Sequence, residues 1–377
     1  MKLRHLFGAT ALVMSPLAAT TVFAADLPAC ENCSDSMTIM SWGGAYQASQ
    51  IAAYSDPYAA LTGITVVYDE SSNESIAKMR AGAEAGNSAY DLIDAEGPDS
   101  QRACDEGLAI EIDADASLAA GDDGSTPTED FGPSLINECF IPQIVFSTTF
   151  GYRNDVAEWN GATPDSLCAI FDTETFPGKR ALEKRPKKNL EWALICDDVA
   201  KEDLYDVLSS DGGVERALAK LDTIKGDVVW WSAGAETPQL LADAEVVIGS
   251  TYNGRLFSVI EEQKQPVSML WDWQVFDFDG WVVPAGLDEK RLNRTMHFLK
   301  FATDTQRLAD QAAYISYGPA RASSQPLVGD HATLGIDMGQ HMPTNPANQT
   351  NYLVNNIEWW ADNNDEVDIK FQNWLAQ

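Results

Sequence analysis

The sequence predicts two α/β lobes joined by a multi-strand hinge, with a ligand cleft between them. Three observations support this fold class. The chain has 377 residues, more than the roughly 250–300 residues at which single hydrophobic cores stop growing. Short apolar strands alternate with helical segments in two separate parts of the chain. A long apolar segment, "IPQIVFSTTFGYRND", lies between those parts and indicates a strand that crosses from one lobe to the other.

The first part of the chain has a regular strand–helix rhythm. "SMTIM", "GITVVYDES" and "YDLIDAEG" have the length and composition of strands, and "ESIAKMRAGAEAG" is helical. This order predicts a parallel sheet covered by helices. The connections "WGG" and "AEGPD" then follow the carboxyl ends of strands, which is where open α/β sheets bind ligands.

The second part repeats the alternation. A helix and turn are predicted for "TPDSLCAIFDTETFPGKRAL", helices for the segments that start at "NLEWAL" and "KEDLYDVL", and strands for "DVVWW" and "AEVVIGSTYNG". Helices follow from about Asp288, with a surface loop at 339–350. We expect one lobe to comprise 25–146 with part of 250–377, and the other to comprise 147–285.

Residues 1–24 have the pattern of a secretory signal peptide. Basic residues precede an apolar run that ends in "VFAA", which predicts cleavage after Ala24 and an exported, soluble mature chain. Cys30 follows a loosely suitable lipoprotein box. A lipid anchor there is disfavoured, because Pro28 fits the box poorly and Asp26 separates it from the apolar run.

The mature chain is strongly acidic. The whole sequence has a formal net charge of −32, and removal of Lys2 and Arg4 with the signal peptide takes it near −34. Such a charge argues against nucleic acid or anionic lipid as a partner.

All six cysteines lie after the signal peptide. An even count in an exported chain indicates disulfides, although six cysteines allow 15 complete pairings. Order along the chain favours Cys30–Cys33, Cys104–Cys139 and Cys168–Cys196. A zinc or redox role for the CxxC at Cys30 lacks supporting ligands, and no metal site or cofactor is predicted.

Catalytic patterns are weak. The sequence has no GxSxG elbow, and its three mature histidines, His297, His331 and His341, all fall in the last quarter. No Walker lysine motif or dinucleotide fingerprint is present. A secreted glycoside hydrolase with a pair of carboxylates stays open as an alternative. We assign no catalytic residue and expect a protein that is not an enzyme.

The stretch "WDWQVFDFDGWVVP", residues 271–284, carries five aromatic residues and three aspartates between Trp271 and Trp281. In a strand over 275–283, Asp277, Asp279 and Trp281 share one face. A carboxylate beside an indole binds an ammonium by ion pairing and cation–π attraction. The alternative is that Trp281 packs in a core while both aspartates point into solvent.

Further aromatic and charged residues recur where loops are expected to line the cleft. "SWGGAY" supplies Trp42 and Tyr46, "VVWWSAG" supplies Trp231, "STYNGRL" supplies Tyr252 and Arg255, and "YISYGPAR" supplies Tyr317. Some of these rings are expected to be ordinary core residues.

The order of "SWGGAY", "YDL", "YRND", "FPGKRAL", "NLEWAL", "VVWWSAGAETPQLLADAEVVIGSTYNGR" and "DGWVVPAG" closely resembles the polyamine-type periplasmic solute-binding proteins of ABC importers. The similarity covers nearly the whole mature chain. It implies a type II periplasmic-binding-protein fold in the periplasm, a monomer that closes about its hinge on a small amine, and an inner-membrane ABC permease as partner.

The resemblance and the residue pattern together give a set of candidate ligand-binding residues. By resemblance, Asp279 is the central carboxylate, Tyr252 the stacking ring, Trp42 and Tyr46 the aromatic residues of the first loop, Tyr317 a late tyrosine, and Glu191 the acid before the middle helix. The complete predicted set is Trp42, Tyr46, Glu96, Glu191, Trp231, Tyr252, Arg255, Asp279, Trp281 and Tyr317.

Two residues depart from the polyamine pattern. Lys188 stands where polyamine binders tend to carry another acid, and Arg255 would be unwelcome beside a dication. Arginine can bind a carboxylate with two hydrogen bonds. Asp279 and Arg255 therefore suit an ω-amino acid such as γ-aminobutyrate. A polyamine such as putrescine or spermidine, a betaine-like amine and an opine stay open, as does a purely structural salt bridge of Arg255.

Overall fold

The computed structural model describes residues 27–377, so the predicted signal peptide lies outside the described residues. The strands are β1 Ser36–Met40, β2 Thr65–Asp69, β3 Leu92–Glu96, β4 Ile141–Arg153, β5 Arg180–Glu183, β6 Val228–Trp231, β7 Ile248–Tyr252, β8 Val267–Val282, β9 Gly318–Pro319 and β10 Tyr352–Val354.

The α-helices are α1 Gly44–Gln50, α2 Asp56–Thr62, α3 Ser75–Ala85, α4 Gly97–Asp105, α5 Ala114–Ser117, α6 Pro127–Phe131, α7 Asn189–Ile195, α8 Leu204–Ser209, α9 Gly213–Asp222, α10 Glu236–Ala242, α11 Asn253–Phe257, α12 Glu289–Ala302, α13 Thr305–Ala312 and α14 Ile357–Leu375. A π-helical turn, Ile51–Ser55, joins α1 to α2. In residues 27–377, no helix combines the length and the apolar character that crossing a membrane requires.

The strands form one mixed sheet in the order β2-β1-β3-β8-β4-β7-β5-β6, with β10 beside β8 and β9 beside β4. The parallel pairs predicted from the strand–helix rhythm are present, both in β1, β2 and β3 and in β5, β6 and β7. The long strands β4 and β8 add antiparallel pairs between these two parallel groups: β8 runs antiparallel to β3 and β4, and β4 runs antiparallel to β7. These two long strands occupy the centre of the sheet.

Strands β4 and β8 run through both halves of the molecule. They pair with each other over most of their length, but the register shifts between Thr148 and Phe150. Opposite this shift, Trp273 has a φ of 55°, which is uncommon for a residue other than glycine. The stretch that is richest in aromatic residues therefore includes an irregular segment of the central strand.

Each half of the sheet has its own hydrophobic core. One core packs β1 and the C-terminal end of β8 against α2 and α12. The other surrounds α7, α8 and α9 and includes Trp360, Phe371 and Trp374 of α14. The C-terminal helix therefore joins the core of the half that contains β5, β6 and β7, and it also packs on α4 of the other half, where Arg102 forms an ion pair with Asp365.

In the second part of the chain, the observed structure contains short strands that the sequence did not predict. The segment predicted as a helix and turn contains a single turn of 3₁₀-helix, Leu167–Ile170, followed by β5. β9 and β10 were not predicted either. These strands have two to four residues, too few to show a period in the sequence.

The structure contains disulfides between Cys30 and Cys33, between Cys104 and Cys139, and between Cys168 and Cys196. Their Cα–Cα distances are 5.9, 5.6 and 5.4 Å. This is the pairing favoured by order along the chain.

A buried ion pair holds the loop after β9 against α6. The Arg321 Nε atom lies 2.7 Å from the Asp130 Oδ2 atom, and the two side chains are 0% and 1% exposed. Asp130 also accepts hydrogen bonds from the backbone N–H and hydroxyl of Ser323, at 2.7 and 2.6 Å. The arginine donates to the carbonyl oxygens of Thr303 and Ala119. This pair therefore joins four segments of one half.

We predict that Asp130→Asn lowers the free energy of unfolding by about 3–5 kcal/mol, because it leaves the Arg321 charge buried without a counter-charge. Urea denaturation measures the loss. The double variant Asp130→Asn with Arg321→Met recovers part of it, because no buried charge then remains. Wild-type stability in the single variant would show that the pair contributes little.

Candidate functional site

A small cavity of about 30 Å³ lies between the two halves of the sheet, where β1, β3, β4, β7 and β8 come together. The residues that line it are Trp42, Tyr46, Glu96, Ile144, Phe146, Tyr252, Arg255, Asp279 and Tyr317. Seven of the ten predicted ligand-binding residues therefore surround one space.

The turn after β1 places the first two aromatic residues. Gly43 and Gly44 have φ of 65° and 58°, values that glycine adopts without steric cost. A Cβ atom on Gly43 would lie 2.9 Å from the Glu70 carboxylate, and one on Gly44 would lie 2.8 Å from the Arg255 Nη1 atom. Because both glycines allow a tight turn into α1, Trp42 and Tyr46 reach the cavity.

Asp279 on β8 is 3% exposed, and two hydrogen bonds fix the orientation of its carboxylate in the cavity. The Trp42 Nε1–H donates to its Oδ2 atom at 2.8 Å, and the Tyr46 hydroxyl lies 2.7 Å from its Oδ1 atom. A carboxylate has about four acceptor positions. Two donors therefore fix its plane and leave acceptor capacity for a ligand ammonium.

The electrostatic environment of Asp279 favours a neutral site in the absence of a cation. Burial raises the pKa of Asp279 well above its usual range, and the charge of Asp94 raises it further. Burial likewise raises the pKa of Asp94 to about 7. Gln50 donates to both oxygens of Asp94, at 3.0 and 2.9 Å. An ammonium at Asp279 would stabilise the ionised carboxylate.

Arg255 on α11 provides a positive group in the same cavity. It is 6% exposed, and its Nη2 atom donates long hydrogen bonds to the carbonyl oxygens of Trp42 and Gly43, at 3.3 and 3.4 Å. Its Nε atom is buried without a hydrogen-bond partner. No acid among residues 27–377 lies within ion-pair distance of it. The structural salt bridge left open by the sequence is therefore absent from this part of the chain.

Aromatic rings form the apolar walls. Phe146 and Tyr252 pack edge to face with ring centroids 5.5 Å apart, and Tyr317 lies 5.8 Å from Tyr46 and 6.0 Å from Phe146. Such contacts fix the rings beyond what burial alone provides. Between the acid and the arginine, the cavity thus offers a rigid apolar channel.

Glu96, the last residue of β3, has its charge occupied by lysines. It forms an ion pair with Lys187, and the Lys188 Nζ atom lies 3.6 Å from its Oε1 atom. Burial opposes the charged form of Glu96, but Lys187 and Lys188 outweigh burial and hold its pKa below the usual range. Glu96 therefore lines the cavity as a neutralised carboxylate.

The structure does not bring Glu191, Trp231 or Trp281 to this cavity. Glu191 caps α7 by accepting from the Lys188 N–H at 2.8 Å, and it also accepts from Trp360 and Tyr205. Trp281 packs edge to face on Tyr54 in a core, centroids 5.5 Å apart.

Trp231 is fully buried and lies behind Tyr252, with ring centroids 6.0 Å apart. It therefore supports a wall of the cavity without lining it.

Sequence reasoning missed Ile144 and Phe146, which lie on β4 and face the cavity. A signal was present, because alternate residues of a crossing strand share one face and this strand was already expected to join the lobes. The lysines that neutralise Glu96 gave no comparable signal, because their partners are distant in sequence.

A curated relative covers nearly the same length of chain. The gamma-aminobutyric acid-binding protein of Pseudomonas aeruginosa is 34% identical over 344 residues, which is 91% of this chain and 92% of that protein. Its name states its ligand, and the aligned region includes most of the chain described above.

Solved structures show the same fold. A GABA receptor has a TM-score of 0.75 with 29% identity and covers 91% of this chain and 98% of its own. The PBP AgtB from A. tumefaciens R10, in complex with agropinic acid, has a TM-score of 0.76 with 27% identity over 91% of this chain and 99% of its own. The fold is that of two-lobed periplasmic binding proteins, as predicted.

A family model describing bacterial extracellular solute-binding proteins matches residues 53–343. That range includes seven of the nine residues that line the cavity, from Glu96 to Tyr317, and leaves out Trp42 and Tyr46 of the first loop. The sheet order, the cleft and the extent of this match lead to one conclusion: the chain belongs to the bacterial extracellular solute-binding protein family.

Proposed function

We propose that this protein is the periplasmic receptor of an ABC importer and that it binds a zwitterionic ω-amino acid such as γ-aminobutyrate. One observation carries the proposal: Asp279 and Arg255 line the same cavity, and Arg255 has no acidic partner among the described residues. A buried arginine without a counter-ion is costly. A ligand carboxylate would supply that counter-ion.

The chemistry of the cavity suits both ends of such a ligand. The ammonium takes the free acceptor positions of Asp279, beside the rings of Trp42 and Tyr46. The carboxylate accepts from Arg255. The methylene chain between them packs against Phe146 and Tyr252, so each part of the ligand meets a group of matching polarity.

The relatives support this assignment. A protein 34% identical over most of the chain is a γ-aminobutyric acid-binding protein, and a solved neighbour is a GABA receptor. On this proposal the protein acts as a monomer, delivers its ligand to an ABC permease in the inner membrane and catalyses no reaction.

Hinge closure is part of the proposal. The lobes would divide β4 near Thr148 and β8 near Trp273, where the pairing is irregular. Asp279, Glu96 and Trp42 lie on one side of this division, and Arg255 and Tyr252 lie on the other. A ligand that bridges Asp279 and Arg255 would then stabilise the closed cleft.

Asp279→Asn is expected to weaken γ-aminobutyrate binding by at least about 30-fold, because loss of one partner of a buried charge pair costs about 2–5 kcal/mol. The asparagine keeps an acceptor for Trp42, so the fold is retained. Titration calorimetry measures the affinity. Asp211→Asn, in an exposed loop, is the matched control, and wild-type affinity in Asp279→Asn would refute the assignment of the ammonium.

Arg255→Met separates the two ends of the ligand. We expect a loss of at least about 100-fold for γ-aminobutyrate and a change below about threefold for n-butylamine, which has no carboxylate to lose. Arg216→Met, which removes an exposed arginine paired with Asp197, serves as control. Equal losses for both ligands would contradict carboxylate recognition by Arg255.

Binding should release a proton. Burial raises the pKa of Asp279, and only the ionised carboxylate attracts an ammonium, so a protonated fraction must dissociate as ligand binds. Affinity therefore falls as pH is lowered. Calorimetry in two buffers of different ionisation enthalpy measures the release, and a binding enthalpy that is independent of buffer would contradict it.

A further inference from the structure

Lys188 lies in surroundings that resemble an ammonium-binding site. Its Nζ atom is 3.6 Å from the Glu96 Oε1 atom and 3.9 Å from the Asp277 Oδ2 atom. It also lies 5.2 Å from the centroid of the Phe146 ring and 5.6 Å from that of Tyr252. Two carboxylates and two rings are the groups with which proteins bind ammonium ligands.

The lysine is held there at a cost. Its side chain is 2% exposed, and its Nζ atom has no hydrogen-bond partner. Its backbone has φ 76° and ψ −42°, a sparsely populated and strained conformation for a residue other than glycine. Glu191 accepts from the Lys188 N–H at 2.8 Å and so fixes this conformation.

The lysine pocket and the cavity share walls. Glu96, Phe146 and Tyr252 surround the Lys188 ammonium and also line the cavity. Glu96 and Asp279 are register partners on adjacent strands. A second ammonium of a ligand already bound at Asp279 would therefore be attracted to Glu96, where the lysine ammonium already lies.

We infer that Lys188 is a specificity-determining residue that occupies, with its own ammonium, the position that the second amine of a diamine would need. The inference deepens the proposed function and rests on it. With Lys188 in place, Asp279 is the only cavity carboxylate without a cationic partner among the described residues, so the site accepts one ammonium. A dication would bring an extra positive charge beside Lys187, Lys188 and Arg255.

The test replaces Lys188 and so removes its ammonium group from the pocket. Wild type, Lys188→Ala and Lys184→Ala are titrated with γ-aminobutyrate, putrescine and n-butylamine. Lys184 is an exposed lysine of the same segment and serves as the matched control. We expect Lys188→Ala to bind putrescine at least tenfold more tightly than wild type does, with a smaller change for n-butylamine. Lys184→Ala should bind all three ligands as wild type does.

Two results would overturn the inference. One is a folded Lys188→Ala protein with no gain in putrescine affinity, and the other is a wild type that binds putrescine as tightly as γ-aminobutyrate. If Lys188→Ala cannot be purified folded, Lys188→Ala with Asp277→Asn is used, because it removes the negative charge that has lost its Lys188 partner and keeps Glu96 and both rings. The same gain is expected there.

The design separates this inference from the proposed function. A wild type that binds no ω-amino acid, together with a tenfold gain of Lys188→Ala for putrescine, would refute the proposed ligand and support the role of Lys188. A wild type that binds γ-aminobutyrate, with no gain in the variant, would support the ligand and refute that role.

Discussion

Two carboxylates on adjacent strands are buried in one site, and the rest of the site depends on how their charges are compensated. Glu96 and Asp279 are register partners of β3 and β8, 4% and 3% exposed. Buried like charges cannot both remain ionised without compensation. Lysines from the loop before α7 compensate Glu96, whereas Asp279 has only hydrogen bonds from an indole and a phenol. Glu96 is therefore already paired with cations, whereas Asp279 is available to a ligand ammonium.

The two halves of the molecule contribute unlike parts to this arrangement. The half with β1 and β3 contributes the acids and the first-loop aromatic residues, and the half with β5 and β7 contributes the lysines and Arg255. The two halves therefore present opposite charges to each other across the cavity. Because burial strengthens such attractions, the ionic contacts within the cleft are strongest when solvent is excluded.

Much of the fold and most of the cavity could be predicted from the sequence. Trp42, Tyr252 and Arg255 lie at or just after the ends of strands, and the topology of open sheets places such residues at the cleft. Glu191 and Trp281 could not be assigned in this way. A glutamate that caps a buried helix and a tryptophan in a core are of the same residue types as those that line binding sites. The irregular φ of Trp273 and the pairing of Lys188 with Asp277 depend on contacts between segments far apart in sequence.

The three disulfides have a mechanical consequence. Cys104 and Cys139 lie in or against a core beside β3, and Cys196 packs against the core that contains α7. Cys30 and Cys33 are separated by only three positions. Each covalent cross-link thus lies within one half of the molecule, and none of the three joins the two halves. On the proposed hinge closure, the disulfides can therefore strengthen each half without opposing the movement of one half against the other.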